Sequence, residues 1–233
     1  MNRKYELTTE SKSINGYILF RIRALEDFSN VKAGDLGGYI QSENTLSHTG
    51  DCWVFDDAKV YGDAQVLGNC RVSEGAQVFG KAIVFGTATI CGNSRVFENS
   101  RIYNSAHVYG NAQVFGRGEV SGEAAIGGNS QVFGESWIHV SARVYGNARI
   151  SGSAKVYGNA RIYENAQLSG YMHIYGNVQI CGDAWINSPG YTCITILGDT
   201  RLDHGMWAKE MEIDGTRYLI SSTLEKVYLK GRR

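Results

Sequence analysis

Aliphatic residues fall at every sixth position from Val54 to Ile186, and the positions between them keep a fixed polarity. The stretch from Cys52 to Pro189 divides without a gap into 23 hexads, such as Ala58-Lys59-Val60-Tyr61-Gly62-Asp63. Alternation within a hexad turns its first and third residues inward and its second and fourth outward, leaving the last two for a corner. The third position is aliphatic in all 23 copies, and the first is Ala, Ser, Cys or Gly in 21, the exceptions being Met172 and Val178. The fifth is Gly in 16, so the corners require left-handed backbone. A strand this short is stable only when it stacks on copies of itself, which predicts an all-β chain of parallel coils sharing one buried column.

Three hexads per coil is the spacing that brings like residues together. At intervals of 18, Asn93, Asn111, Asn129, Asn147 and Asn165 occupy one corner, and Tyr61, Phe79, Phe97, Phe115 and Phe133 occupy one outer face, which turns to Ser151, Ser169 and Asn187 further on. In-register parallel strands favour such ladders of stacked amides and rings. With 23 hexads at three to a coil, about eight triangular coils are expected.

The flanks break the rule and read as small β caps, residues 1–51 and 190–233 on either side of the 52–189 repeat. A stack of coils ends in open edges and an apolar cross-section that must be covered. In the first flank Asn15-Gly16 lies between two alternating runs, a hairpin signal, with Ile18, Phe20, Ile22 and Ala24 on one face of the second. The glycine-rich Val31–Ile40 reads as a loop; no Gly-Lys-Ser/Thr follows to make it a phosphate cradle. In the second flank Cys193–Leu197 reads as a strand and Asp214-Gly215 as the turn of a hairpin. Met206 and Trp207 are placed to plug the last coil, and Lys226, Lys230, Arg232 and Arg233 form a basic tail.

Composition narrows the function classes. Acids and bases number 23 each, so no bulk charge draws the chain to nucleic acid or an anionic membrane. No apolar run reaches the length of a membrane span, and the opening Met-Asn-Arg-Lys-Tyr lacks a signal peptide's apolar core, which places the protein in the cytoplasm. Five cysteines without a Cys-x-x-Cys are expected as free thiols, with Cys52 and Cys70 packed inward and Cys91 and Cys181 facing out. His107, His139 and His173 stand at outward positions on separate coils, where they read as surface residues, so no catalytic, metal or cofactor site is expected. The outward arginines, Arg71 to Arg161, are spread over three faces among glutamates and read as a solvated surface.

The aromatic stripe Tyr61, Phe79, Phe97, Phe115 and Phe133 is the candidate binding surface. Each ring has about 150 to 250 Å² to bury, so even half-shielded the stripe leaves roughly 400 Å², which soluble monomers seldom expose. It calls for a cover: the chain's own tail, a second copy in a trimer or dimer, or another protein.

An aliphatic residue followed four positions later by a small one, as Val60 and Ala64 or Ile90 and Ser94, resembles the hexapeptide repeat of left-handed parallel β-helix proteins. That resemblance implies the left hand. The opening of the repeat, with Gly34-Asp35-Leu36-Gly37-Gly38-Tyr39 and Gly50-Asp51-Cys52-Trp53-Val54, is similar to repeat proteins of bacteria and their prophages, some labelled acyltransferases by fold alone. Hexapeptide acyltransferases favour Gly directly after the aliphatic residue and interrupt their coils with a loop near a catalytic His. Here Tyr or Phe holds that place in 13 of 23 copies, and nothing interrupts the coils. The expected function is a non-catalytic, phage-type binding protein that acts on a host protein and inhibits it. An acyltransferase and a structural fibre are the alternatives.

Overall fold

The third hexad position sets the architecture. In the computed structural model, which describes residues 3–188, 193–213, 216–221 and 226–228, each hexad makes one short strand, from Trp53–Val54 to Trp185–Asn187. All third-position side chains are buried, and so are the small residues at the first. The chain is all-β, a parallel β-solenoid, and divides into two compact units, Met1–Gly116 and Arg117–Arg233.

In the first unit, strands 18 residues apart pair in parallel register on three faces. Lys59–Val60, Gln77–Val78, Arg95–Val96 and Gln113–Val114 form one face. Trp53–Val54 through His107–Val108 form the second, and Gln65–Val66 through Arg101–Ile102 the third. The N–H of Phe79 donates to the Val96 carbonyl at 3.0 Å and that of Phe97 to Val114 at 3.0 Å. Each strand thereby satisfies its backbone through its neighbours, as a two-residue strand must. The buried first-position serines are satisfied too: Ser94 and Ser100 donate to the carbonyls of Cys91 (2.7 Å) and Phe97 (2.8 Å).

The N-terminal flank pairs with and packs on the first coil of this unit. Strands β1 (Tyr5–Ile14) and β2 (Tyr17–Ala24) form an antiparallel hairpin whose Asn15-Gly16 turn has φ of 50° and 83°. The register slips between Leu7 and Ser11 of β1, and the expected face of β2 holds only in part: Ile18 is exposed and Leu19 is buried, while Ile22 and Ala24 stay inside. Part of the expected loop is a strand, β3 (Leu36–Ile40), antiparallel to β2 and parallel to Lys59–Val60, so it carries the hairpin onto the first coil. Glycine is required there, since a Cβ on Gly37 would lie 2.6 Å from the Val54 carbonyl and one on Gly38 2.5 Å from that of Ala58. Lys4 is buried beside them, its amine donating to the carbonyls of Gly50 (2.9 Å) and Cys52 (2.8 Å) and facing the Phe28 ring at 4.9 Å. Those acceptors hold a cation that burial alone would exclude.

The second unit repeats the three faces. Gln131–Val132, Arg149–Ile150, Gln167–Ser169 and Trp185–Asn187 make one. Ala125–Ile126 to Arg201–Leu202 make the second, and Glu119–Val120 to Ile194–Ile196 the third. Register stays at 18 until His173, which pairs with Thr195, four residues further on than the repeat requires. Trp185 then pairs with Met206 at the start of Met206–Ile213, followed by antiparallel Thr216–Ser221 and Lys226–Tyr228. The expected strand and hairpin are therefore present. The Asp214-Gly215 turn, the side chains of Met206 and Trp207, and Lys230, Arg232 and Arg233 lie outside the described residues.

Val114 fills the buried column of the first unit, whereas Gln113 is half-buried and faces out. Val114→Asp is expected to lose at least about 4 kcal/mol and most soluble yield, because its charge has no partner. Gln113→Asp, beside Arg95 in the register, is expected to melt like the wild type in circular dichroism. Equal melting of both variants would place the column elsewhere.

Candidate binding surface

On the first unit the fourth hexad position builds the stripe. The rings of Tyr61, Phe79, Phe97 and Phe115 stack in succession at centroid distances of 5.0, 4.9 and 4.9 Å, with planes 1° to 6° apart. The separation is the strand spacing, so backbone register sets the ring geometry. Arg95 extends along the column from the second position, its guanidinium carbon 5.2 Å from the Phe79 ring and 5.4 Å from Phe97. Such contacts are worth about 0.5 to 2 kcal/mol each.

The stripe is less open than its composition implies. Tyr61 is 1% exposed, packed with Leu19 and Tyr39 beneath the N-terminal hairpin, and so is no surface residue. Burial pushes its hydroxyl pKa up. Phe79, Phe97 and Phe115 are half-buried because each ring covers the faces of its neighbours, leaving a ridge of edges. The more exposed rings stand on other columns: Phe85 and Tyr109 in the first unit, Trp137, Tyr171 and Trp185 in the second. Sequence reasoning missed these because no ladder of five marks them.

Phe133 belongs to the second unit, where the ladder gives way to Ser151, Ser169 and Asn187. The missing rings leave a cleft of about 350 Å³ lined by Phe133, Arg149, Ser151, Gln167, Ser169 and Trp185, with Leu168 and Asn187 completing it. Trp185 is 40% exposed at one end, and Arg149 lies 6.0 Å from the Phe133 ring at the other. Among the described residues no carboxylate lines it.

The histidines do not converge. His107 is exposed in the first unit, while His139 and His173 lie on one face of the second in separate columns, His173 following Trp137 and Lys155 in register and His139 preceding Tyr157. His139 stacks on Tyr157 at 4.9 Å and Tyr157 on Tyr175 at 5.0 Å. Both histidines are half-buried rather than openly exposed, because neighbouring aromatic side chains flank them, Tyr171 standing edge-on to His173 at 5.5 Å. The His173 Nε2 is buried without a hydrogen-bond partner. Beside His139, Val140 takes φ of 62°, a left-handed corner that a β-branched residue seldom accepts. Among the described residues no three His, Cys, Asp or Glu are placed to hold a metal ion.

The thiols are free, as expected, with Cys52 and Cys70 buried; burial pushes Cys70 up to about 12. Cys181 departs from the expected outward exposure and is fully buried, because it sits in the column of Tyr145 and Tyr163, whose rings cover a side chain this small. Its contact with Tyr163 pushes that hydroxyl up to about 12, first through their hydrogen bond and then through burial.

The family match falls on this second unit. The YdcK β-solenoid repeat model matches residues 142–156 and 154–170. A protein of Escherichia coli (strain K12) named "Uncharacterized acetyltransferase YdcK" is 36% identical over 62 residues, which is 23% of this chain and 19% of that protein. The likeness is thus one of repeat, and the match spans about a fifth of that relative's length. No helix among the described residues is long and apolar enough to cross a membrane.

Burial first, and then the charge of Lys155, hold the His139 pKa below the ordinary imidazole value. A histidine depressed in the folded state takes its proton more readily when unfolded. Its contribution to stability is therefore full above the unfolded value of about 6.5 and is lost as pH falls toward the folded value. Melting temperature is expected to drop between pH 7 and 5, with a shallower slope in His139→Gln. Lys155→Gln should move the His139 midpoint upward in NMR titration; an unmoved midpoint would remove Lys155 as a cause.

Proposed function

We propose that this chain is a non-catalytic binding protein that works through its outward aromatic columns against another protein. The observation that carries this reading is the continuous ring stack of Phe79, Phe97 and Phe115 with Arg95 alongside, a rigid apolar ridge with a cation at its edge. Aromatic and arginine side chains of this kind dominate the energetics of protein interfaces. The ridge belongs to regular strands, so little conformational entropy is lost when it is covered. A second copy of the chain, as trimer or dimer, and a host protein are both occupants of this type. Resemblance of the opening segment to prophage repeat proteins supports a setting in which the chain inhibits a host system in the cytoplasm.

A second reading is acetyl transfer, favoured by the name of the Escherichia coli relative. It requires a base held in a pocket that excludes water. His139 and His173 stand nearest to that description, being half-buried on one face.

Phe97→Ser with Phe115→Ser removes two rungs, each outward, and is expected to leave the coils folded while destabilising them by about 1 to 3 kcal/mol. The double variant should lower the mass seen by light scattering or abolish capture of a stoichiometric partner that the wild type retains. An unaltered assembly and partner would overturn the binding reading. Turnover of acetyl-CoA that is lost in His139→Ala or His173→Ala would establish the second.

A further inference from the structure

The two units offer the same position of the repeat once filled and once open. In the first, the coil after Phe79 supplies both Arg95 at the second hexad position and Phe97 at the fourth, and the ring stacks on Phe79 at 4.9 Å with the guanidinium 5.4 Å away. In the second, the coil after Phe133 supplies Arg149 at the second position, 6.0 Å from that ring, but Ser151 at the fourth. The next coil again supplies a serine, Ser169, and the cleft occupies this ringless stretch. Among the described residues Arg149 pairs with no carboxylate, and none lines the cleft.

We propose that the cleft receives an aromatic side chain of a partner protein, stacked on Phe133 in the place where Phe97 stands in the first unit, with an adjacent carboxylate on Arg149. Ring recognition follows from Phe133 and Trp185, which close the two ends of the cleft with apolar surface. The carboxylate follows from charge complementarity, since an unpaired guanidinium binds a planar anion by two parallel hydrogen bonds. The seat is polar but committed: the Ser151 hydroxyl donates to the Leu168 carbonyl at 3.2 Å, so the floor does not compete for the incoming acid. Gln167 and Asn187 line the rim and can pair with the partner's backbone amides. The occupant is therefore a segment with Phe or Tyr next to Asp or Glu. This deepens the protein-binding reading above and rests on it.

The test uses the full chain and short blocked peptides. Acetyl-Phe-Asp-amide is expected to bind saturably in ligand-observed NMR, with a dissociation constant on the order of 1 mM for so small a probe. Acetyl-Phe-Asn-amide and acetyl-Leu-Asp-amide should each bind at least threefold more weakly. Ser151→Phe supplies the missing ring from the chain itself; it should raise the melting temperature by about 2 °C and abolish peptide binding. Arg149→Gln should erase the difference between the Asp and Asn peptides while leaving the fold intact. No saturable binding, equal binding of the leucine peptide, or undiminished binding by Ser151→Phe would overturn the proposal. Should Ser151→Phe still hold a partner that Phe97→Ser/Phe115→Ser loses, the cleft is refuted while the wider binding reading stands.

Discussion

Every other feature of this protein depends on backbone pairing between residues 18 apart. A strand of two or three residues satisfies almost none of its own hydrogen bonds, so each coil is stable only through the coils above and below it. The N–H of Lys59 reaching the Ala76 carbonyl at 2.9 Å and that of Arg143 reaching Ala160 at 2.9 Å are instances of one rule. Because the pairing is in register, whatever occupies a position meets its counterpart at the strand spacing. Small residues at the first position and aliphatic ones at the third are what let the backbone come that close.

The corners show the same constraint acting on polar groups. Asn129, Asn147 and Asn165 donate in turn to the next side chain at 3.0 Å, and the run ends on Asp183. Asn159 and Asn177 end likewise on Asp199. An amide both donates and accepts, so it propagates the ladder; a carboxylate only accepts, so it stops it. Where the fifth position is not glycine, a left-handed residue offsets its strain by bonding to the next coil: the Glu74 carboxylate accepts from the Gly92 N–H at 2.8 Å, and Glu164 from Gly182 at 2.6 Å. Val140 has a hydrocarbon side chain that can form no such bond, and it stands next to His139.

The repeat was legible residue by residue because its period, its buried positions and its asparagine ladder all follow from alternation and stacking. What the sequence hid is what depends on register outside the repeat. The burial of Leu19 in place of Ile18, and the strand at Leu36–Ile40, come from tertiary packing and pairing that no local pattern encodes. The aromatic stripe was found, but its openness was overstated. Rings in a column shield one another, and the N-terminal hairpin packs over Tyr61. Cys181 was misplaced for a related reason: an outward position is buried when its own column carries larger neighbours.

Repetition itself indicates where function sits in such a chain. A residue that obeys the repeat is explained by stacking, whether it is aliphatic, aromatic or asparagine. Beyond the ring ridge itself, recognition is to be sought where the ladder changes, since there a face presents something its neighbours do not already satisfy. Ser151 and Ser169 are changes of this kind, because serine in a ring column gains no stack and opens a cleft between Phe133 and Trp185. Arg149 keeps the place that Arg95 holds beside two rings, and among the described residues it faces one, Phe133. A scaffold that fills this arrangement in its first unit and leaves it open in its second has the geometry for a ring already built, with no reorganisation required when one arrives.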